Sequence, residues 1–248
     1  SGNTIETKYF LSLTIKIFKQ KKISKLVRDF IFITEDRNNY MRIFAKKNNI
    51  LCFDHDPNIG GRFSIFSITS LLPLISIGYS LPKIIKSFIE AKKLFEKNHR
   101  VLSKYTSYSI AYEKKFDLNI LVGLSYHDKI NAVNEWYRQI FAESLGKNKN
   151  AKNYISSYGS IDQHSQFQLY IDGPYDKHFN FFKIKNNNKA VNSNASLIKG
   201  YNLMSTLENG AIKTLQQKKF LVTQISIDDD FNSYCYLLFY LIFDIYLR

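Results

Sequence analysis

Cysteine is scarce in this sequence, which contains only Cys52 and Cys235 among its 248 residues. The two cysteines lie far apart along the chain and form no ligand pair, so neither a disulfide framework nor a zinc site is indicated. Proline and glycine are also few, with 4 and 10 residues, which argues against flexible or Pro-rich linkers. This cysteine usage fits a reducing cytosol, where thiols stay free.

Long uncharged apolar runs are absent as well. Residues 65–79 are interrupted by serines, and residues 234–247 form a short run that contains Asp244. A membrane-spanning helix needs about 18 or more apolar residues in succession, so we interpret both runs as buried helices. The first residues show no charged region followed by an apolar one, and no signal peptide is predicted.

Acidic residues are outnumbered, with 21 Asp and Glu against 35 Lys and Arg, which gives a formal net charge of +14. Nucleic-acid binding is the obvious hypothesis for such a charge, and it predicts strongly salt-dependent binding to duplex DNA. The basic residues are nevertheless spread along the chain, their clusters are short, and no nucleic-acid motif accompanies them. We therefore favour a milder consequence, in which the positive field attracts a small anion.

The remaining pattern is that of a globular α/β protein, with 45% hydrophobic and 15% aromatic residues. Strand, helix and strand patterns follow one another at 29–34, 39–47 and 50–53, which predicts a parallel crossover unit. Residues 65–117 are predicted to be mostly helical. A buried strand at 118–124 leads into a further helix, and later strands at 179–184 and 220–227 alternate with helices at 196–217 and 231–246.

Residues 134–147 form the most informative stretch. Apolar residues within it and directly before it recur at helical spacing and predict one buried face; they are Val133, Trp136, Ile140 and Phe141. Gln139 and Glu143 lie four positions apart, which places them on one face one turn apart, and Gly146 is predicted to end the helix. Glu143 fits a carboxylate base that partial desolvation would strengthen. A solvated residue in the last turn is the alternative.

The first seven residues place hydroxyl groups at Ser1, Thr4 and Thr7, just before an apolar-periodic segment that contains Tyr9 and Leu13. They are predicted to form the first turn of a helix. Free backbone N–H groups, the helix dipole and small hydroxyl side chains together make a phosphate cradle. A capping box, which needs no ligand, is the alternative interpretation.

Two further segments carry candidate residues. Gly60 and Gly61 allow close approach of a ligand to the backbone, and Arg62 brings a guanidinium that can stabilise negative charge on oxygen. A glycine pair by itself more often marks a turn.

His164 lies in the segment Gly-Ser-Ile-Asp-Gln-His-Ser-Gln at 159–166. It is predicted to lie at the beginning of a helix that continues through Tyr170. A lone His is more often structural than catalytic.

Four sequence segments resemble segments of the glucose-6-phosphate isomerase family and occur in the same order as in that family. They are SGNTIET at 1–7, DPNIGGRFS at 56–64, WYRQIFAESLGK at 136–147 and GSIDQHSQFQLY at 159–170, which runs into IDGP at 171–174. The resemblance implies three-layer αβα sugar isomerase (SIS) domains with a mainly parallel sheet. Residues 1–55 would be the remainder of a first SIS domain, and residues 56–248 a second one that is incomplete at its C-terminus.

The resemblance also implies an aldose-ketose isomerase of glycolysis and gluconeogenesis that needs no metal and no cofactor. Glu143 would be the base that moves a proton between two carbons, and Arg62 would stabilise the enediolate. Ser1, Thr4 and Thr7 would hold the phosphate of the sugar, with Gly61 and Gln139 as further substrate-binding residues. His164 would open the sugar ring in the active site of the neighbouring subunit of a cytoplasmic homodimer, with neither nucleic acid nor membrane as a partner.

The sequence departs from the family at both ends. It begins inside the phosphate-binding loop, and nothing in it corresponds to the terminal helix that supplies a Gln and a Lys to the active site in the family. We therefore expect a fragment that is inactive alone. The alternative is a non-catalytic sugar-phosphate-binding or interaction module with the SIS fold.

Overall fold

A computed structural model describes residues 2–21, 30–147, 151–185 and 195–248, with side chains from residue 203 onward in the last segment. The chain divides into two compact units, Ser1–Ile84 and Ile85–Arg248. The domain limits expected from the family resemblance, 1–55 and 56–248, stay a prediction, because compactness alone does not assign a segment to an SIS domain.

The first unit is built on a parallel strand-helix-strand. Its elements are α1 (Ile5–Gln20), β1 (Ile31–Glu35), α2 (Tyr40–Lys47), β2 (Leu51–His55), a 3-10 helix (Gly61–Phe66) and α3 (Ile68–Ser76). The two strands pair in parallel, with Ile31 opposite Leu51 and Glu35 opposite His55. The crossover unit predicted from the sequence is confirmed. Its small core is formed by Leu11, Phe32, Ala45 and Ile50.

Helix α1 turns a different face inward from the one that its apolar pattern indicates. Leu11 is buried, whereas Tyr9 and Phe10 are 62% and 61% exposed. Leu13 and Ile17 also remain exposed. The helix itself is where the sequence predicts it, because its spacing is amphipathic; the pattern identifies an apolar face but not what lies opposite it.

The second unit contains a four-stranded parallel sheet of order β4-β3-β5-β6. Its elements are α4 (Leu81–Lys115), which starts in the first unit, then β3 (Ile120–Ser125), α5 (Asp128–Leu145), β4 (Asn153–Tyr158), α6 (Gly159–Ser165), α7 (Phe167–Asp172), β5 (Lys177–Ile184), α8 (Ala195–Gln217), β6 (Leu221–Ile227) and α9 (Phe231–Leu247). Strand β4 was not predicted from the sequence. Its residues Asn-Tyr-Ile-Ser-Ser-Tyr mix polar and apolar side chains, so they lack the continuous apolar run typical of a buried parallel strand.

Helices cover both faces of this sheet, which gives the expected three-layer α/β architecture. On one face, Val122 and Leu124 pack with Tyr170 of α7 and Leu215 of α8. On the other face, helix α5 packs against β3, β4 and β5. Gly123 faces α5 so closely that an added Cβ would lie 2.4 Å from Asn134 Oδ1.

Within the described ranges, no helix combines the length and apolarity needed to cross a membrane. The apolar run at 234–247 forms most of α9, where Leu237 and Leu241 are buried, as predicted. The run at 65–79 forms the end of the 3-10 helix and α3, and no residue of α3 is fully buried. The prediction of a buried helix is therefore wrong for α3, which is largely half-buried.

Candidate active site

Glu143 lies in the last turn of α5, and Gln139 lies one turn before it. Gln139 Nε2 donates a hydrogen bond to Glu143 Oε1 over 2.9 Å. The shared face predicted from the four-residue spacing is therefore confirmed. Helix α5 ends at Leu145 with Gly146 as its C-cap, also as predicted.

The opposite face of α5 anchors this pair to the sheet. Ile140 and Phe141 are buried as predicted, but Val133 and Trp136 are only half-buried. Tyr137, next to Trp136 in sequence, lies in the core as well and is 1% exposed. The helix is therefore held firmly, whereas Glu143 and Gln139 are both exposed. The desolvation of Glu143 expected from the sequence is not found in this chain.

His164 lies in the last turn of α6, not at the beginning of a helix. Helix α6 starts at Gly159 and ends at Ser165, and a second helix, α7, begins at Phe167 after a break at Gln166. The predicted helix start is wrong because the chain leaves β4 directly into α6, with no loop. The side chain of His164 is exposed.

Sheet topology places Glu143 and His164 at opposite edges of the second unit. Two residues separate the end of β3 from the start of α5, which runs back along the sheet, so Glu143 lies near the amino ends of the strands. His164 follows the carboxyl end of β4. The 18 residues of α5 span about 27 Å, which separates the two edges.

Arg62 lies in the 3-10 helix of the first unit, directly after Gly60 and Gly61. Its guanidinium carbon lies 4.9 Å from the ring centroid of Phe63, in a cation-π arrangement, and its side chain is half-buried. A Cβ added at Gly61 would meet no atom within 4 Å. The protein itself therefore leaves open space beside Gly61, as a ligand-binding backbone requires.

The loop before α1 is positioned by α2. The Asn3 side-chain oxygen accepts the Tyr40 N–H over 3.0 Å, and Gly2 adopts a φ of +69°, which favours glycine. Thr4 is the N-cap of α1 but makes no side-chain capping bond, so the capping-box alternative is not realised at this residue. Thr4 and Thr7 are exposed at the helix start. Ser1 lies outside the described residues.

A buried ionic cluster, which the sequence analysis did not predict, lies near the amino ends of the strands in the second unit. Glu113 is 1% exposed and contacts His178 Nδ1 at 2.6 Å, Lys152 Nζ at 3.0 Å and Arg248 Nη1 at 3.1 Å. Burial would raise the pKa of Glu113, but the hydrogen bond with His178 and the positive charge of Arg248 outweigh it and lower the pKa to about 2. The sequence contained one indication of this cluster, since His178 and Asn180 alternate with phenylalanines along β5.

A cavity of about 420 Å³ adjoins this cluster and the end of α5. Its lining includes Glu113, Lys152 and Arg248, together with Ser144 and Lys147 just beyond Glu143. Glu143 itself does not line it. Across the described part of the chain, no group of three or more His, Cys, Asp or Glu side chains is placed to hold a metal ion.

Comparison with curated proteins finds close relatives over most of the chain. A glucose-6-phosphate isomerase of Campylobacter jejuni is 37% identical over 199 residues, which are 77% of this chain and 47% of that protein. A glucose-6-phosphate isomerase of Methanocaldococcus jannaschii is 35% identical over 190 residues, 75% of this chain and 46% of that protein. The chain spans about half the length of the curated relatives it matches. No protein-family model matches it.

Solved structures share the fold. The crystal structure of a hypothetical protein from Thermus thermophilus superposes with a TM-score of 0.82 at 22% identity and covers all of this chain and 63% of that one. A glucose-6-phosphate isomerase from Chlamydia trachomatis superposes with a TM-score of 0.73 at 16% identity, covering all of this chain and 53% of that one. At these identities the likeness concerns the fold, which is of the SIS type.

Proposed function

Because the chain belongs to the glucose-6-phosphate isomerase family, we propose that its protein interconverts glucose 6-phosphate and fructose 6-phosphate. The observation that carries the proposal is the hydrogen-bonded pair of Gln139 and Glu143 at the end of α5. An exposed carboxylate on a helix whose opposite face is buried is accessible to substrate and fixed in place. The reaction belongs to glycolysis or gluconeogenesis, and a cytoplasmic location follows from it.

The chemistry is a proton transfer between neighbouring carbons. Glu143 removes the proton from C2 of the open-chain aldose phosphate, which leaves an enediolate. A proton moves from the C2 hydroxyl to the C1 oxygen, and the same carboxyl group returns a proton to C1, which forms the ketose phosphate. The carbonyl already acidifies the adjacent C–H, so no metal or organic cofactor is required. General base catalysis of this kind contributes about a hundred- to ten-thousandfold in rate.

Charge that develops on the enediolate oxygens needs a cation, and Arg62 is the residue proposed for it. A guanidinium offers several N–H donors in a planar fork, and the open space beside Gly61 leaves room for the sugar. The start of α1 would hold the phosphate group through its free N–H groups and the hydroxyls of Thr4 and Thr7, with Ser1 as a third hydroxyl. Gln139 would bind a sugar hydroxyl while it orients Glu143.

His164 is proposed to open the sugar ring in the active site of a second subunit. The placement of Glu143 and His164 at opposite edges of one sheet supports this assignment, because one subunit alone does not bring the two side chains to a single small substrate. A homodimer in which α6 of one subunit reaches the Glu143 region of its partner would do so. A single copy of the chain is then expected to be inactive.

The test is isomerisation by the intact protein and by its Glu143→Gln variant. The variant keeps the shape of the side chain and the hydrogen bond with Gln139 but cannot accept the C2 proton, so we expect a loss of at least a thousandfold in kcat with unchanged thermal unfolding. Glu96→Gln is the matched control, since Glu96 is an exposed helical glutamate in α4 with its own partner at four residues' spacing, Lys92.

The alternative function, a sugar-phosphate-binding or interaction module without turnover, gives a different result in the same assay. Intact protein that binds fructose 6-phosphate by calorimetry but does not isomerise it would support that alternative. Retained isomerisation by Glu143→Gln would instead remove Glu143 from the mechanism while leaving the isomerase assignment in place.

A further inference from the structure

Helix α6, which carries His164, is attached to the sheet at two points that do not involve His164 itself. The first is the Asp162 carboxylate, and the second is the contact of Gly159 with Tyr126. We propose that Asp162 and Gly159 are positioning residues that set where His164 projects. This inference rests on the proposed function, because it takes the ring-opening role of His164 as its premise.

Asp162 joins the end of β4 to α6 through three accepted hydrogen bonds. Its Oδ2 accepts the Tyr158 N–H and the Ser157 hydroxyl, both over 2.7 Å, and its Oδ1 accepts the Ser165 hydroxyl over 2.9 Å. Ser157 is fully buried. One carboxylate therefore connects the last buried residue of the strand to the last residue of the helix, and His164 lies between Asp162 and Ser165 in sequence.

Gly159 sets the distance between α6 and the sheet. A Cβ added at Gly159 would lie 2.3 Å from Cγ of Tyr126 and 2.4 Å from its Cδ1. The Tyr126 ring is 7% exposed and stacks on Phe181 with an interplanar angle of 9°, so it has no room to retreat. Any side chain at position 159 would push the start of α6 away from the sheet.

The strand that precedes α6 is fixed independently. The Tyr158 hydroxyl donates to Glu135 Oε1 over 2.7 Å, and Glu135 belongs to α5. Loss of the Asp162 or Gly159 contacts would therefore move α6 while β4 stays in place. His164 is exposed, and no hydrogen bond of its ring is found among residues that the structure describes, so the ring follows the backbone of α6 wherever it goes.

The test separates ring opening from proton transfer by choice of substrate. An aldohexose 6-phosphate is mostly cyclic and must be opened, whereas an aldotetrose 4-phosphate has no free hydroxyl with which to close a five-membered ring. In the intact protein, Asp162→Asn should lower kcat/KM at least tenfold for the hexose phosphate and less than twofold for the tetrose phosphate. Asp172→Asn is the control, since Asp172 is an exposed acid in α7 that is bonded to Gln168 four residues before it.

Gly159→Ala should give the same selective loss, with Gly210→Ala as its control, because a Cβ at Gly210 of α8 meets no atom within 4 Å. Equal losses for both substrates would show a general structural defect and overturn the proposal, as would undiminished activity of both variants. Absence of activity toward the hexose phosphate in the unmodified protein would refute the proposed function instead.

An NMR measurement tests the positioning role even when the protein shows no isomerase activity. In NMR spectra of the chain, Asp162→Asn should shift the imidazole C–H signals of His164 and speed amide exchange in α6 at least tenfold, while Asp172→Asn leaves both unchanged. Unaltered His164 signals in Asp162→Asn would overturn the positioning role whatever the protein catalyses.

Discussion

Gln139 and Glu143 form a hydrogen bond of 2.9 Å on the exposed side of α5, while Tyr137 and Phe141 on the other side are buried. The hydrogen bond orients the Glu143 carboxylate, which is exposed and therefore is not held in place by packing. The amide donates one N–H to Oε1 of Glu143, one turn further along the helix.

The first prediction concerns Gln139. Gln139→Ala removes the hydrogen bond that orients Glu143. A hydrogen bond to a charged acceptor contributes about 1.5–3 kcal/mol, so we expect kcat/KM for the hexose phosphate to fall about ten- to a hundredfold. Gln168→Ala, which removes a similar Gln–acid pair in α7, should leave activity unchanged. An unaffected Gln139→Ala variant would mean that the pair plays no part in catalysis.

Arg62 supplies the second prediction. Arg62→Lys keeps the charge but loses the planar fork, and removal of one donor to a developing oxyanion costs about a hundred- to a thousandfold in kcat. The loss should appear in kcat more than in KM, since the interaction strengthens in the transition state. Arg37→Lys, at an exposed arginine beside Glu35 in the same unit, is the control; equal activity of the two variants would exclude Arg62 from the reaction.

The third prediction concerns acid stability. Glu113 has an ordinary pKa of 4.5 that the fold lowers to about 2. A lowered pKa of an acid gives stability that is complete above pH 4.5 and is lost as the pH falls toward 2. At about 1.4 kcal/mol per pKa unit, the loss is about 3 kcal/mol. Burial also lowers the pKa of His178, so protonation of that ring in the unfolded state adds to the loss below pH 6.5.

Urea unfolding between pH 7 and pH 3 measures this loss. Glu113→Gln should be destabilised by about 3–5 kcal/mol at pH 7, because it leaves the buried Arg248 charge less balanced, and its stability should depend less on pH in the acid range. The same acid dependence in Glu113→Gln as in the unmodified chain would assign the effect to other groups.

Glu208 gives the opposite pH dependence and the fourth prediction. It is 2% exposed, its Oε2 lies 3.5 Å from Lys183 Nζ, and its Oε1 accepts no hydrogen bond from the described residues. Burial raises its pKa to about 7, although Lys183 opposes the shift. A raised pKa of an acid gives stability that is complete below pH 4.5 and declines as the pH rises to 7.

Glu208→Gln should therefore raise the unfolding midpoint at pH 8 by an amount equivalent to at most about 3 kcal/mol, with little change at pH 5. Lys183 keeps a partner in the variant, since its Nζ also donates to Asn209 Oδ1 over 2.9 Å. A variant that is less stable than the unmodified chain at pH 8 would contradict the assignment of a costly buried charge to Glu208.

Local patterns sufficed for much of the fold. The spacing of Gln139, Ile140, Phe141 and Glu143 predicted the exposed and the buried face of the end of α5, and the continuous apolar residues of β3 identified a buried strand. Patterns failed where one face is polar or a partner is unknown. Strand β4 was missed because polar residues such as Ser156 and Tyr158 bond to Glu135, which only the fold brings near.

The candidate site was less accessible to the sequence. Desolvation of Glu143 depends on what covers the end of α5, and helix spacing carries no information about that. The positioning contacts of Asp162 and Gly159 join residues of different elements, so a motif that contains both shows only that they are close to His164 in sequence. The cluster of Glu113, His178 and Arg248 draws on three elements and could not be assembled from spacing.

Turnover in deuterium oxide tests the central claim, proton transfer by Glu143, most directly. With intact protein and glucose 6-phosphate, a carboxylate that exchanges with solvent while the enediolate is bound puts deuterium on C1 of the fructose 6-phosphate formed, and Glu143→Gln abolishes both the product and the label. Product or label that forms as fast in Glu143→Gln as in the unmodified protein would contradict the account.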